Sequence, residues 1–163
     1  MTRTRLRPRT AAVLAACLLA ALAAADAAAC SCVMPGTPEQ EMANADAVFT
    51  ARVVSTEQAE QRSGDFRLQR MKVELALDDV WKGCEEGDRA ILWTGLGGGD
   101  CGFQFEPGER YLVYAYESDD GEQLTTSICS RTRPLAQADE DLAAFGAPKR
   151  SVEDAGDAGG EGE

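Results

Sequence analysis

Two cysteines one residue apart follow directly on a run of alanines in "AAACSCVMPG", residues 27–36, and this pair sets the terms on which the chain can fold. A bond between Cys30 and Cys32 would close a small strained ring. Disulfide geometry therefore sends each sulfur to a distant partner, which would staple the segment to two different places. Whether the sulfurs are oxidised at all depends on the compartment, and the residues ahead of the pair speak to that.

Residues 1–29 read as a signal peptide. Arg3, Arg5, Arg7 and Arg9 form a positive start, "AAVLAACLLAALAAA" is apolar but too short and Ala-rich for a membrane span, and Ala27-Ala28-Ala29 has the small-x-small pattern of a cleavage site. Cutting after Ala29 would make Cys30 the first residue of the mature protein. Two alternatives fit less well. An uncleaved anchor disagrees with the length and flanks, and a lipid-attached form cleaved before Cys17, the end of the "LAAC" pattern of 14–17, would cut through the apolar segment. Export places the chain in the periplasm or outside the cell, where thiols are oxidised. Cys17 leaves with the leader, so Cys30, Cys32, Cys84, Cys101 and Cys129 remain, an odd number that leaves at least one unpaired in a monomer.

The whole chain carries 16 basic and 28 acidic residues; loss of the leader's four Arg and one Asp leaves 12 and 27, a net charge of −15. Such a surface repels nucleic acid and anionic lipid, so neither is expected as a partner, and no membrane association is expected after cleavage. Residues 148–163, "PKRSVEDAGDAGGEGE", have no apolar side chain larger than Val152 and five acids, and read as a disordered acidic tail. The remaining 30–147 is one domain of 118 residues, enough to bury a core.

Composition excludes much chemistry. There is no histidine, so no Ser-His-Asp triad, Cys-His dyad or His-ligated metal can be built. The C-x-C pair could offer two thiolates to zinc, but a four-ligand site would have to draw Cys84, Cys101 or Cys129 from afar. The paired acids at 78, 85 and 119 sit beside Gly or Lys in turn-like contexts and read as solvated loops. No enzyme, no cofactor and no metal of the protein's own are expected.

The pattern is mostly β. Thr37 as N-cap, Pro38 at the first helical position and Gln40 in a capping box predict a short helix over about 38–45. Val48, Thr50, Arg52 and Val54 alternate against Phe49, Ala51 and Val53 in a first strand. Met71, Val73, Leu75 and Leu77, spaced by two, predict a long strand over about 66–81. "RAILW", "RYLVYAYE" and "QLTTSIC" supply three more, the last two joined as an antiparallel hairpin by "SDDGE". "DEDLAAF" reads as a small helix beginning at Asp139. Five strands with short polar turns and flanking helices predict a mainly β, five-stranded Greek-key barrel.

"CSCVMPGTP", "ADAVFTARVV", "VWKG", "CGFQFEPGERYLVYAYESDDGEQLTTSICSRTRPL" and "LAAFG" follow one another in the order seen in the tissue inhibitors of metalloproteinases. The chain resembles their inhibitory domain, a netrin-like oligonucleotide/oligosaccharide-binding (OB) barrel, over nearly all of 30–146. The resemblance implies bonds Cys30–Cys101 and Cys32–Cys129, one of the fifteen ways of drawing two bonds among five cysteines, and leaves Cys84 unpaired. It implies a secreted inhibitor of zinc metalloendopeptidases, in which the α-amine and carbonyl oxygen of Cys30 chelate the protease's zinc. Ser31, Cys32, Val33 and Met34 would then lie along the cleft. The third bond of the animal inhibitors, from a cysteine soon after the C-x-C, has no counterpart in residues 33–50, Cys84 has none in the animal pattern, and an acidic tail stands where their second domain would be. A secreted netrin-like binding or scaffold module without inhibitory activity, using the barrel surface or loops such as "TGLGGGDCG", is the alternative. The oligomeric state is not encoded legibly.

Overall fold

The computed structural model describes residues 30–63, 66–84, 86–118 and 121–152; the expected signal peptide and most of the expected acidic tail lie outside them. The elements run α1 (Pro38–Asn44), β1 (Ala47–Ser63), β2 (Phe66–Lys82), β3 (Arg89–Thr94), β4 (Arg110–Glu117), β5 (Leu124–Thr125), β6 (Arg133–Pro134), α2 (Asp139–Phe145) and β7 (Arg150–Ser151).

The sheet order is β1-β2-β3-β5-β4, and β1 also pairs with β4, so five strands close into a ring of the OB-like kind. All these pairings are antiparallel except β3 with β5, where Leu92 and Trp93 lie beside Leu124 and Thr125. Three register shifts between β1 and β2, at Val48/Phe49, Phe49/Ala51 and Val53/Ser55, mark bulges. Bulges bend a strand and sharpen its twist, which lets one strand serve partners on both sides of a tight ring.

Alternation decides the two cores. Phe49, Ala51 and Val53 on β1 point inward with Val73, Leu75 and Leu77 on β2, Leu92 on β3, and Tyr111, Val113 and Ala115 on β4. Val48, Trp81, Leu112 and Tyr114 point outward, where Ala45 and Ala138 pack with Met42, Leu142 and Phe145 to cover that face. Thr37 accepts from Gln40 N while Gln40 Oε1 accepts from Thr37 N, the reciprocal cap that starts α1. The Trp81 indole N–H donates to Gly146 O at 3.0 Å and ties the end of α2 to β2.

Three departures from the sequence reading have physical causes. β1 runs on to Ser63: beyond Ser55 it pairs only with β2, and from Ala59, opposite the part of β2 that does not pair with β3, the two strands form an arm outside the ring, with the exposed pair Arg67–Glu60 on the arm and Lys72–Glu57 at its base. The strand expected over 123–129 is only Leu124–Thr125. Past it the Ser and Thr hydroxyls bond to nearby backbone, Cys129 N to Ser127 Oγ and Ser130 Oγ to Ser127 O, and such local bonds compete with a ladder. Residues 149–152, grouped with the tail by composition, pair with β2 through Lys149 N to Val80 O, Val152 N to Asp78 O and the short strand β7. Main-chain bonds of this kind need no apolar side chain.

Candidate functional site

Residues 30–37 form no helix or strand, yet two disulfides fasten them to the rest of the domain. Cys30 is bonded to Cys101 with Cα atoms 5.5 Å apart, and Cys32 to Cys129 with Cα atoms 5.1 Å apart. The four sulfurs are therefore not thiolates, and the C-x-C pair offers no zinc ligand set. Among the described residues no group of three His, Cys, Asp or Glu side chains is placed to hold a metal ion.

The two receiving loops are each built to hold a cysteine still. Cys101 follows the turn Gly98–Asp100 in the left-handed conformation, φ +57. The Asp100 carboxylate organises that loop by accepting from Leu96 N at 2.7 Å, Gly97 N at 2.9 Å and Gly102 N at 3.2 Å. Desolvation works against its ionisation, but these three donors and the Arg70 charge outweigh it and hold the carboxyl below the usual carboxylate range. A Cβ on Gly102 would run into the Gly95 carbonyl, so only glycine fits there. Phe103 N donates to Thr94 Oγ1 and returns the chain to the barrel.

Cys129 sits on the loop after β5. Thr126 Oγ1 and Thr132 Oγ1 donate to Tyr114 O and contact one another at 2.9 Å, pinning both ends of that loop to β4. Ile128 N donates to Cys101 O at 3.0 Å, so the two loops are bonded to each other as well as to the N-terminal segment. Cys30 Sγ also lies 3.7 Å from Gly98 O; a bridged sulfur carries no hydrogen, so this is a packing contact.

The result is a ridge in which Ser31 is exposed between two staples and Val33 and Met34 stand 87% and 89% exposed just past the second. The structure brings together five of the residues singled out in the sequence, Cys30 to Met34, with Cys101 and Cys129. Cys84 is elsewhere: it is unbonded, half-buried against the inner core and left-handed at φ +48. Burial pushes its thiol up, against the opposing charge of Arg150.

Sequence reasoning missed the charged anchor of this segment. Arg131, 9% exposed, donates from Nε to Asp141 Oδ1 at 2.7 Å, from Nη2 to Asp141 Oδ2 at 3.1 Å and to Glu140 Oε2 at 3.0 Å, and from Nη1 to Gly36 O at 3.0 Å. Asp141 is fully buried and also accepts from the Tyr114 hydroxyl, with Arg133 Nη1 3.4 Å away. Desolvation alone would raise the Asp141 carboxyl, but the Arg131 and Tyr114 hydrogen bonds and the two arginine charges hold it below the usual range. Burial, followed by the Asp141 hydrogen bond and charge, pushes the Tyr114 hydroxyl well up. A signal was present: Ala138, Asp141, Leu142 and Phe145 have the spacing of one helix face, so the third acid of "DED" falls on the buried side.

A family model described as tissue inhibitor of metalloproteinase matches residues 28–140 of the chain. Comparison with curated proteins gives no match.

Proposed function

The chain belongs to the tissue inhibitor of metalloproteinase family, whose members are inhibitors and not enzymes, and from that membership we propose that it is a secreted inhibitor acting through its own N-terminus on the zinc of a metalloendopeptidase. The observation that carries the reading is the double staple. Cys30 and Cys32 are bonded to two loops that are themselves hydrogen-bonded through Ile128 and Cys101, so residue 30 has one pose.

Cleavage after Ala29 would leave Cys30 with a free α-amine. A neutral amine and the carbonyl oxygen of the same residue form a five-membered chelate ring with a metal, and on the protease's zinc they would displace the water that the metal activates. An α-amine has a reference pKa of about 7.7–8.0, so shedding its proton costs little at neutral pH. Ligand atoms held in one pose by covalent bonds lose little further freedom on binding, which favours affinity. Ser31 would enter the mouth of the protease's specificity pocket with a small hydroxyl, while Cys32, Val33 and Met34 extend along the cleft.

The test is to purify the exported protein, read its terminal residue by intact mass, and titrate it against a panel of zinc endopeptidases. A terminus at Cys30 with stoichiometric inhibition of at least one of them is expected. A terminus at Met1 or Cys17, or a blocked amine at Cys30, removes the chelate.

A further inference from the structure

Val33 and Met34 lie beyond the second staple, in chain without regular structure, and a peptide free at one end would not hold them in place. The other end of this bridge is Gly36, and it is not free. We propose that Arg131 is a positioning residue for the protease-contact segment: it fixes Gly36 and so presets Val33 and Met34 for the partner. The proposal rests on the reading of the ridge given above.

Arg131 is suited to this by the shape of its guanidinium. Nε and Nη2 engage both oxygens of Asp141 side by side, a bidentate grip that sets the plane of the group and leaves Nη1 pointing at Gly36 O, 3.0 Å away. Asp141 cannot shift to follow a moving guanidinium, because it is buried in α2 and held by Tyr114 from β4. Arg131 is also two residues from Cys129, so the covalent anchor at Cys32 and the charged anchor at Gly36 belong to one short loop pinned to β4. The bridge is therefore spanned between two points of the same rigid frame. Gly36 N donates to Glu41 Oε1 at 2.8 Å, a second hold from α1.

Lysine at 131 would keep the charge but has one nitrogen on a flexible stem, so it can serve Asp141 or Gly36 without fixing the geometry of both. The decisive measurement needs no protease: amide order parameters from 15N relaxation on the oxidised protein. Values of about 0.85 are expected at Val33, Met34 and Gly36 in the native chain, falling below about 0.6 in Arg131→Lys, with β1 and α2 unchanged. Equal values at these residues in the two proteins overturn the proposal. Should Arg131→Lys lose its structure throughout, Glu41→Ala decides. It removes the other hold on Gly36, so rigidity persists if Arg131 fixes that end and is lost if it does not.

Inhibition gives a readout that a loss of stability alone would leave unmoved. Met34→Ala is expected to weaken native inhibition by about fivefold or more, and to weaken Arg131→Lys by less than half that factor, because contacts sharing one support are not additive. An equal Met34 effect in both backgrounds counts against the proposal. If the native protein inhibits nothing while the order parameters fall as stated, the functional reading fails and the positioning of the segment by Arg131 stands.

Discussion

The Tyr114 hydroxyl, from the outward face of β4, donates to Asp141 Oδ1, the same oxygen that accepts from Arg131 Nε, in a side chain with no solvent exposure. Removing one partner of a buried ion pair strands the other, at a cost of about 3–5 kcal/mol. Asp141→Asn is therefore expected to destabilise the domain by that order in denaturant unfolding at neutral pH. The acid limb should change too. The folded carboxyl titrates below its unfolded value of about 3.9, so between the two the unfolded chain binds more protons and stability falls as pH falls. That contribution is complete above the unfolded pKa and lost on passing down through the folded one. Unfolding measured from pH 6 downward should show a shallower slope in Asp141→Asn than in the native protein.

The bridges Cys30–Cys101 and Cys32–Cys129 span 71 and 97 residues of sequence. Loops of that size should each stabilise the fold by about 2–5 kcal/mol through the unfolded chain. Because the two loops share residues 32–101, either bridge alone already shortens the loop that the other closes, so removing both should cost more than the sum of the two single losses. Paired Cys→Ser variants compared by chemical denaturation check this; strict additivity would contradict it.

Much of the barrel was legible because it alternates. Met71, Val73, Leu75 and Leu77 mark the inner face of β2, and Thr37 with Gln40 marks the start of α1. The second half of β1 was not legible, since "STEQAEQRS" pairs only with β2 and its one buried side chain, Gln61, is polar, so there is no apolar period to read. The cysteine partners came from family resemblance; spacing leaves the pairing open. Of the Arg131–Asp141–Gly36 anchor only the buried side of Asp141 was legible, from its helical spacing with Ala138, Leu142 and Phe145; its link to Arg131, 10 residues away, and the link from Arg131 to Gly36, 95 residues away, leave no periodic trace.

Ser31 is exposed and takes no part in either core, so its substitutions should act on binding and leave stability alone. Ser31→Glu places an uncompensated charge at the mouth of a largely apolar pocket and is expected to weaken inhibition by about tenfold or more, ~1.4 kcal/mol upward. Ser31→Ala should change it by less than about threefold. Inhibition constants for the three proteins, with unfolding curves alongside, separate the two effects.

The proposed inhibition depends on two atoms of Cys30, and one comparison tests them most directly: inhibition by the protein beginning at Cys30 against the same protein with a single alanine added before it. The extension turns the α-amine into an amide that has no lone pair to give to zinc, while the bonds to Cys101 and Cys129 and the ring of strands are untouched. The native protein is expected to inhibit and the extended one to have lost inhibition. An extended protein that inhibits as tightly as the native one, or a native protein, correctly processed and oxidised, that leaves every zinc endopeptidase tested fully active at micromolar concentrations and above, would contradict it.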